Sequence, residues 1–461
     1  MSTISRQKEY LLWFLVFGIP IIFGLLPLDM APKMQYFLAI ALWGVLAWMT
    51  SIVPAGVVGA VLPSLFFFSG AAPAEVAYAP WFNSLIWGTI SILLIGYATD
   101  KTGIAKRMAY SIILRFDCNL KGLVWAFMGA GVVMAFIIID PMARAMIFTT
   151  IALGIVRALD IPLKSRESTA LGLAAFFAMS GPGLMLYTSG NGIYINSVYR
   201  NVAGNIDYFQ WMLGNILPSL AWMLISVLIV LKFFRLDNGR CLDARESLLA
   251  HKKALGPMSR QEWTTLIVLL VLVADYILAP MADLDPFLLS ALPMALLFLP
   301  SVGILKPNDF EEANLKILFV MTGAMSIGSV AGAVGLVDVL IKSSEPVMGQ
   351  GPIIMTIATF VLAVVANFAL TPLAIVFTLT EAITNMALAF GYNPLPIAYA
   401  LCFGTDVYIF PYEYAILLMC TGFGLMDNKL LIKALCLRTL GAFGILFLVS
   451  IPYWYLIGLF A

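Results

Sequence analysis

Two otherwise apolar runs, at about 122–159 and 352–390, are 38 and 39 residues long. Each is broken near its midpoint by a helix-capping side chain followed directly by proline: Asp140-Pro141 in the first, Thr371-Pro372 in the second. A helix of roughly 20 residues already crosses a bilayer core of about 30 Å. Asp or Thr at an N-cap offers its oxygen to a free N–H, and proline at the first helical position lacks the N–H it would leave unpaired. Each run therefore predicts two half-helices meeting at a tip, a re-entrant hairpin.

A second interruption follows each hairpin. "SGPGLMLYTSGNGIYINS" (180–197) carries four glycines and Pro182, and "FGTDVYIFPYEY" (403–414) carries Gly404, Asp406, Pro411 and Glu413. Unwound backbone at membrane depth is tolerated only where protein buries it or where it lines a cavity. Two tips and two unwound segments make the candidate site. Half-helix N-termini there present N–H groups and a partial positive charge.

Composition agrees with a polytopic helical membrane protein. The chain of 461 residues is 62% hydrophobic and 11% charged, with a mean hydropathy of +0.98. Its 26 basic and 25 acidic residues nearly cancel, which gives no electrostatic case for nucleic acid. The one histidine, His251, lies in a charged linker, so a histidine-based catalytic or metal site is not expected. Five cysteines without paired spacing suggest neither disulfides nor zinc. The segment after Arg6 and Lys8 lacks a small-residue cleavage site and is expected to be a first transmembrane helix.

Apolar segments of spanning length, that first helix included, lie near 11–28, 35–52, 54–70, 84–99, 210–234, 263–281, 287–305, 315–331 and 432–459, with the interrupted ones between them. The long polar stretch 232–262, with seven basic residues against four acids, is cytoplasmic by the positive-inside rule, as is the N-terminus. Lys429, Lys433 and Arg438 precede the last span, which puts the C-terminus outside and the total at about eleven spans.

The linker divides two similar halves. "IGYATDKTGIAKRM" (95–108) matches "IGSVAGAVGLVDVL" (327–340) at an offset of 232, and Asp140-Pro141-Met142-Ala143 falls on Thr371-Pro372-Leu373-Ala374 at 231. Six crossings before the linker, the first outside the repeat, leave five per copy, and an odd number inverts the second copy. The expected organisation is a leading helix (1–30), a first inverted repeat (31–235, hairpin 122–159, broken helix 168–200), a cytoplasmic linker (236–262) and a second repeat (263–461, hairpin 352–390, broken helix 395–420).

This pattern resembles the divalent anion/sodium symporter family, carriers of succinate, citrate and related carboxylates. The likeness covers nearly the whole chain, including an amphipathic arm after the fourth span (103–116, "GIAKRMAYSIILRF"). The resemblance implies a homodimer whose transport domain moves in an elevator-like manner against a fixed scaffold. The family's Ser-Asn-Thr triplets are missing, however: Asp140-Pro141-Met142 and Ala369-Leu370-Thr371-Pro372 stand at or beside their places. The Thr-Pro-Pro-Asn type turns are replaced by "TSGNG" (188–192) and "IFPYEY" (409–414), with Asn191 and Pro411 as retained members.

Ionisable groups inside membrane segments are costly and mark sites or pathways by default. Asp140, Arg144, Glu381, Asp406 and Glu413 lie in or beside the interruptions. Asp140, Pro141, Arg144, Asn191, Thr371, Pro372, Asp406 and Glu413 are the candidate substrate contacts. Asp140, Ser189, Gly190, Asn191, Thr371, Thr405 and Asp406 are the candidates for the coupling ion. Glu381 can equally contact a neighbouring helix, and Asp275 is expected in the scaffold. Asp140 could be a cap neutralised by Arg144, or one of the two could face substrate.

The leading expectation is a secondary active transporter, not an enzyme, moving a small organic anion across the cytoplasmic membrane with sodium or protons as coupling ion and no organic cofactor. If Asp406 and Glu413 line the cavity, its negative balance favours a second reading, a proton-coupled carrier of a zwitterion or cation resting on nearby tyrosines. An intramembrane enzyme is the third reading. It lacks usable histidine and Asp-rich metal motifs, and no P-loop provides for ATP.

Overall fold

The computed structural model describes residues 6–50, 52–117, 119–138, 140–189, 191–204, 206–236, 242–282, 284–313, 315–368 and 370–460, and among these every regular element is helical. Helices are the open-chain answer to hydrocarbon, because each satisfies its backbone N–H and C=O groups within one segment. Seven are long and apolar enough to cross a bilayer, among them Leu120–Ile137, Tyr208–Phe234, Arg260–Leu278 and Lys316–Ala333. Shorter apolar helices include Ala55–Phe68, Pro352–Ala366 and Leu395–Thr405. The protein is an integral membrane protein.

One expected span is shorter than its hydropathy suggests and is interrupted. The segment 287–305 is not a single rod but two short helices, Pro286–Leu289 and Ala291–Leu296, followed by turns. Pro293 and Pro300 withhold N–H groups that a longer helix would use, and Gly303 takes a left-handed φ of 60° that stops it. The linker also contains a helix, Leu242–Ala254, and residues 260–262 already belong to the next long helix.

The element order of 84–234 recurs over 316–445. A long helix (Ser84–Thr102 or Lys316–Ala333) runs into a glycine with left-handed φ, 79° at Gly103 and 77° at Gly335. There follow an amphipathic helix (Ile104–Ile113 or Leu336–Met348), a helical hairpin, a broken helix and a closing helix (Tyr208–Phe234 or Asn428–Ile445). The paired glycines of the sequence thus sit at the same reversal, where a side chain on Cβ would be strained.

Packing repeats as well. Both arms of the first hairpin, Leu120–Ile137 and Pro141–Ala158, pack on Arg166–Ser180; both arms of the second, Pro352–Ala366 and Pro372–Ala389, pack on Leu395–Thr405. In each case a glycine lets backbones touch. A Cβ at Gly131 would lie 2.0 Å from the Ala178 carbonyl oxygen, and one at Gly404 2.8 Å from that of Phe360. The two halves also interlock: Ala55–Phe68 runs against Lys316–Ala333, and Arg260–Leu278 against Ser84–Thr102.

Polar ties hold this frame at its edges. Arg107, on the amphipathic helix of the first half, donates to Glu262 at 2.6 Å and to the carbonyls of Leu255 and Gly256 at the linker's exit. Lys101 donates to both Asp309 oxygens, at 2.9 and 2.7 Å. Asp309 lies outside the apolar helices, and the hydrogen bond from Lys101, then the Lys306 N–H, hold its carboxyl below the usual carboxylate range.

Two outcomes test this frame. A Cβ at Gly323 would stand 2.4 Å from the Gly59 Cα, so Gly323→Ala must part the two helices, an overpacking cost of about 1–3 kcal/mol. Its melting transition in detergent is expected to fall, and an unchanged transition would contradict the crossing. Because the folded pKa of Asp309 is depressed, its contribution is present above the unfolded carboxylate pKa of about 3.9 and is lost as pH falls through the folded value. Asp309→Asn is therefore expected to melt below wild type near neutral pH, with the gap closing in strong acid.

Candidate functional site

The first hairpin tip, both broken helices and the helix Ser84–Thr102 wall one cavity. Asp140 and Pro141 come from the tip, Ser180, Thr188, Asn191 and Tyr194 from the first break, and Cys402, Asp406 and Tyr414 from the second. Thr89 and Ile92 complete it from the long helix.

Asp140 reaches this position as a helix cap. Its Oδ1 accepts from the Met142 N–H at 2.9 Å and its Oδ2 from the Ala143 N–H at 3.3 Å. Pro141 at the first helical position needs no such partner. Gly96 makes room for the carboxylate, since a Cβ there would lie 3.4 Å from Oδ2. Arg144, one turn on, is fully buried and interacts electrostatically with Asp140 and Tyr414.

Asp406 stands where the helix Leu395–Thr405 ends. Its Oδ2 accepts from the Trp222 indole N–H at 2.7 Å and from Arg438 Nη2 at 3.4 Å, and its Oδ1 from the Tyr408 hydroxyl at 2.9 Å. Arg438 is 2% exposed. Its guanidinium lies 3.8 Å from the Trp222 ring centroid and 4.5 Å from that of Phe177, and it donates to Ser226 and Ser180, both at 3.0 Å. Aromatic faces and hydroxyls replace the water that a buried guanidinium loses.

The break beside Asp406 is closed by two side chains. Asn367, at the second hairpin tip, donates its amide to the carbonyls of Gly404 at 3.0 Å and Val407 at 2.7 Å. Glu413 accepts from the N–H groups of Ile409 at 2.9 Å and Phe410 at 3.2 Å. Backbone groups freed by unwinding are thus paired again inside protein.

Of the residues singled out from sequence, Asp140, Pro141, Asn191 and Asp406 share the cavity. Thr405 adjoins it, its hydroxyl accepting from the Asn191 amide at 3.1 Å. Arg144 is packed behind the tip, and Glu413 is 2% exposed with its oxygens on backbone. Thr371 is exposed and caps its helix through the Ala374 N–H at 3.4 Å; Pro372 is buried beside it. Neither lines the cavity. Gly190 and the side chain of Ser189 lie outside the described residues.

One sequence expectation is overturned. Arg438 was grouped with Lys429 and Lys433 as a flanking charge, but the helix Asn428–Ile445 begins ten residues earlier, so Arg438 is inside the protein and pairs with Asp406. Glu413 does not line the cavity and Asp406 is paired with Arg438, so the condition for a negative balance, both acids lining it, is not met. Asn367 and Trp222 also went unnoticed; the polar Asn367 in "VVANFAL", four residues before Thr371, was the available signal.

The family model of the sodium:sulfate symporter transmembrane region matches residues 5–460. A protein of Bacillus subtilis (strain 168) named "Putative malate transporter YflS" is 22% identical over 286 residues, 60% of this chain and 59% of that protein. The chain thus matches less than two thirds of that relative's length. Matched almost from end to end, the chain belongs to the sodium:sulfate symporter family, whose members are transporters and not enzymes.

Proposed function

We propose that the chain is a secondary active transporter that carries a small organic anion of the carboxylate type across the cytoplasmic membrane by alternating access, coupled to sodium or protons. The observation that carries this reading is the cavity in which a hairpin tip and both broken helices converge, with each carboxylate backed by an arginine: Asp140 by Arg144 and Asp406 by Arg438. The Arg438 pair on Asp406 and the buried Arg144 one turn from Asp140 offset the negative charge that would repel an anion.

The two ends of the cavity have different chemistry. The half-helix Gly192–Ala203 begins at Asn191 without a side-chain cap, and Ile193 and Tyr194 lie on the wall. Uncapped N–H groups at a helix start suit an anion, with the hydroxyls of Thr188 and Ser180 nearby. By contrast, the start of Pro141–Ala158 is already neutralised by Asp140. The coupling cation belongs beside Asp140 and Asp406, the anion beside Asn191.

The recurring element order supports two inverted repeats with about eleven crossings, an odd number in each copy reversing the second. The hairpins and broken helices form the body that moves, in an elevator-like manner, against the interlocked outer helices. The family resemblance supports a homodimer in lipid. The excess of basic residues in the linker supports a cytoplasmic N-terminus and linker (236–262), with the C-terminus outside.

The test is thermal stabilisation of purified protein by sulfate, malate, other carboxylates and amines, each with sodium or choline. A ligand at one hundred times its dissociation constant adds about 2.7 kcal/mol to the folded state. Sodium-dependent stabilisation by a carboxylate is the expected result. Stabilisation by amines alone would overturn the anion reading. Arg438→Met strands the Asp406 charge and is expected to cost about 3–5 kcal/mol in stability, with partial recovery in the double variant Arg438→Met/Asp406→Asn, read as melting transitions.

A further inference from the structure

A further carboxylate within the membrane segments, Glu381, stands apart from the cavity. Glu381 lies nine residues into the second arm of the second hairpin, Pro372–Ala389, and faces a small pocket shared with Asn83, Val198, Met325, Ser329 and Phe377. No other residue lining that pocket is titratable. Among the described residues, neither an ion pair nor a hydrogen bond holds its carboxylate.

Its placement is not arbitrary. A Cβ at Gly328 would lie 3.6 Å from Glu381 Oε2, and one at Gly96 lies 3.4 Å from Asp140 Oδ2. Gly96 and Gly328 are the paired glycines of the two recurring long helices. In each half a hairpin carboxylate thus lies close to the corresponding glycine of the long helix. In the first half the carboxylate caps its helix, with the buried Arg144 one turn on; in the second it shares its pocket with the polar side chains of Asn83 and Ser329.

Neither of those neighbours satisfies it. The Ser329 hydroxyl donates to the Met325 carbonyl at 3.2 Å, and Asn83 Oδ1 accepts from the Leu85 N–H at 2.9 Å. The elements packed against this arm bring no nearby counter-charge to the pocket. Gly192–Ala203 carries Tyr194, Tyr199 and Arg200, the last bound to Asp285 at 2.9 Å. Lys316–Ala333 carries only Lys316, at its far end; Leu336–Met348 carries Asp338, Lys342 and Glu345; Leu395–Thr405 carries Tyr399 and Cys402; Pro352–Ala366 carries none. Glu381 is half-buried beside Asn83 and Ser329; an ionised carboxylate held without a charged partner inside a membrane segment is costly, and taking up a proton removes that cost. With a single carboxylate and no other charged residue on its wall, the pocket offers little negative charge to hold a metal cation.

We propose that Glu381 is a proton-binding site, separate from the cavity, whose loading lets the second hairpin move against the helix Lys316–Ala333. The step balances simply: a proton from water forms an O–H bond on the carboxylate when the pocket is wetted and returns to water when it is wetted again. The movement rests on the carrier reading above; the proton site does not.

The experiment labels the purified full chain, without substrate, using dicyclohexylcarbodiimide, which attacks protonated carboxyls in apolar surroundings, and maps the modified peptide. Glu381 is expected to label at mildly acidic pH, to lose labelling as pH rises, and to be indifferent to exchanging sodium for choline; Glu381→Gln is expected to lose that adduct. Absence of label at every pH, or protection by sodium at fixed pH, would overturn the proposal. In proteoliposomes, malate uptake by wild type is expected to vary with pH and uptake by Glu381→Gln to be flat. Failure of wild-type uptake on malate, sulfate and the other carboxylates would count against the carrier reading, whereas failure of labelling counts against the proton site alone.

Discussion

A helix broken inside a membrane leaves N–H and C=O groups that no water can reach, and each such group costs free energy comparable to a lost hydrogen bond. The structure around the cavity depends on how those groups are paired again. At the second break the Asn367 amide takes two carbonyls and the Glu413 carboxylate takes two N–H groups. At the first hairpin tip the Asp140 carboxylate takes two N–H groups. Side chains that look like substrate contacts in a list of polar residues are in part the repair of the backbone itself. The helix start at Asn191, by contrast, carries no side-chain cap and opens on the cavity wall.

Charge follows a similar logic. Both carboxylates on the wall are accompanied by a buried arginine, and the arginine nearest Asp406 comes from the far end of the chain. Breaking such a pair costs more than the pair contributes, because one charge remains without compensation. The long closing helix is thereby tied to the broken one. The glycine contacts at Gly131 and Gly404 bring each hairpin onto its broken helix at backbone distance, so hairpin and broken helix form one packed unit in each half.

Much of this was legible in the sequence because the signals were local. Asp140-Pro141 and Thr371-Pro372 mark helix starts by chemistry that needs no distant partner, and both are found as caps. Gly103 and Gly335 mark reversals for the same reason. What was not legible depends on pairing across the chain. Arg438 looked like a flanking charge because its partner is 32 residues away, and Trp222 had no polar signature at all. Glu413 looked like a site residue because a carboxylate four residues after an unpaired N–H cannot be told from one that faces a cavity. The segment 287–305 had the hydropathy of a span, but its prolines and Gly303 fold it into short pieces.

The surroundings of Trp222 have a spectroscopic consequence. Its indole N–H is bonded to a carboxylate on the cavity wall while a guanidinium lies over its ring. An anion held at the pyrrole edge and a cation over the ring face set an electric field across the chromophore. Any change of charge at Asp406 changes that field and shifts the colour of this indole's emission.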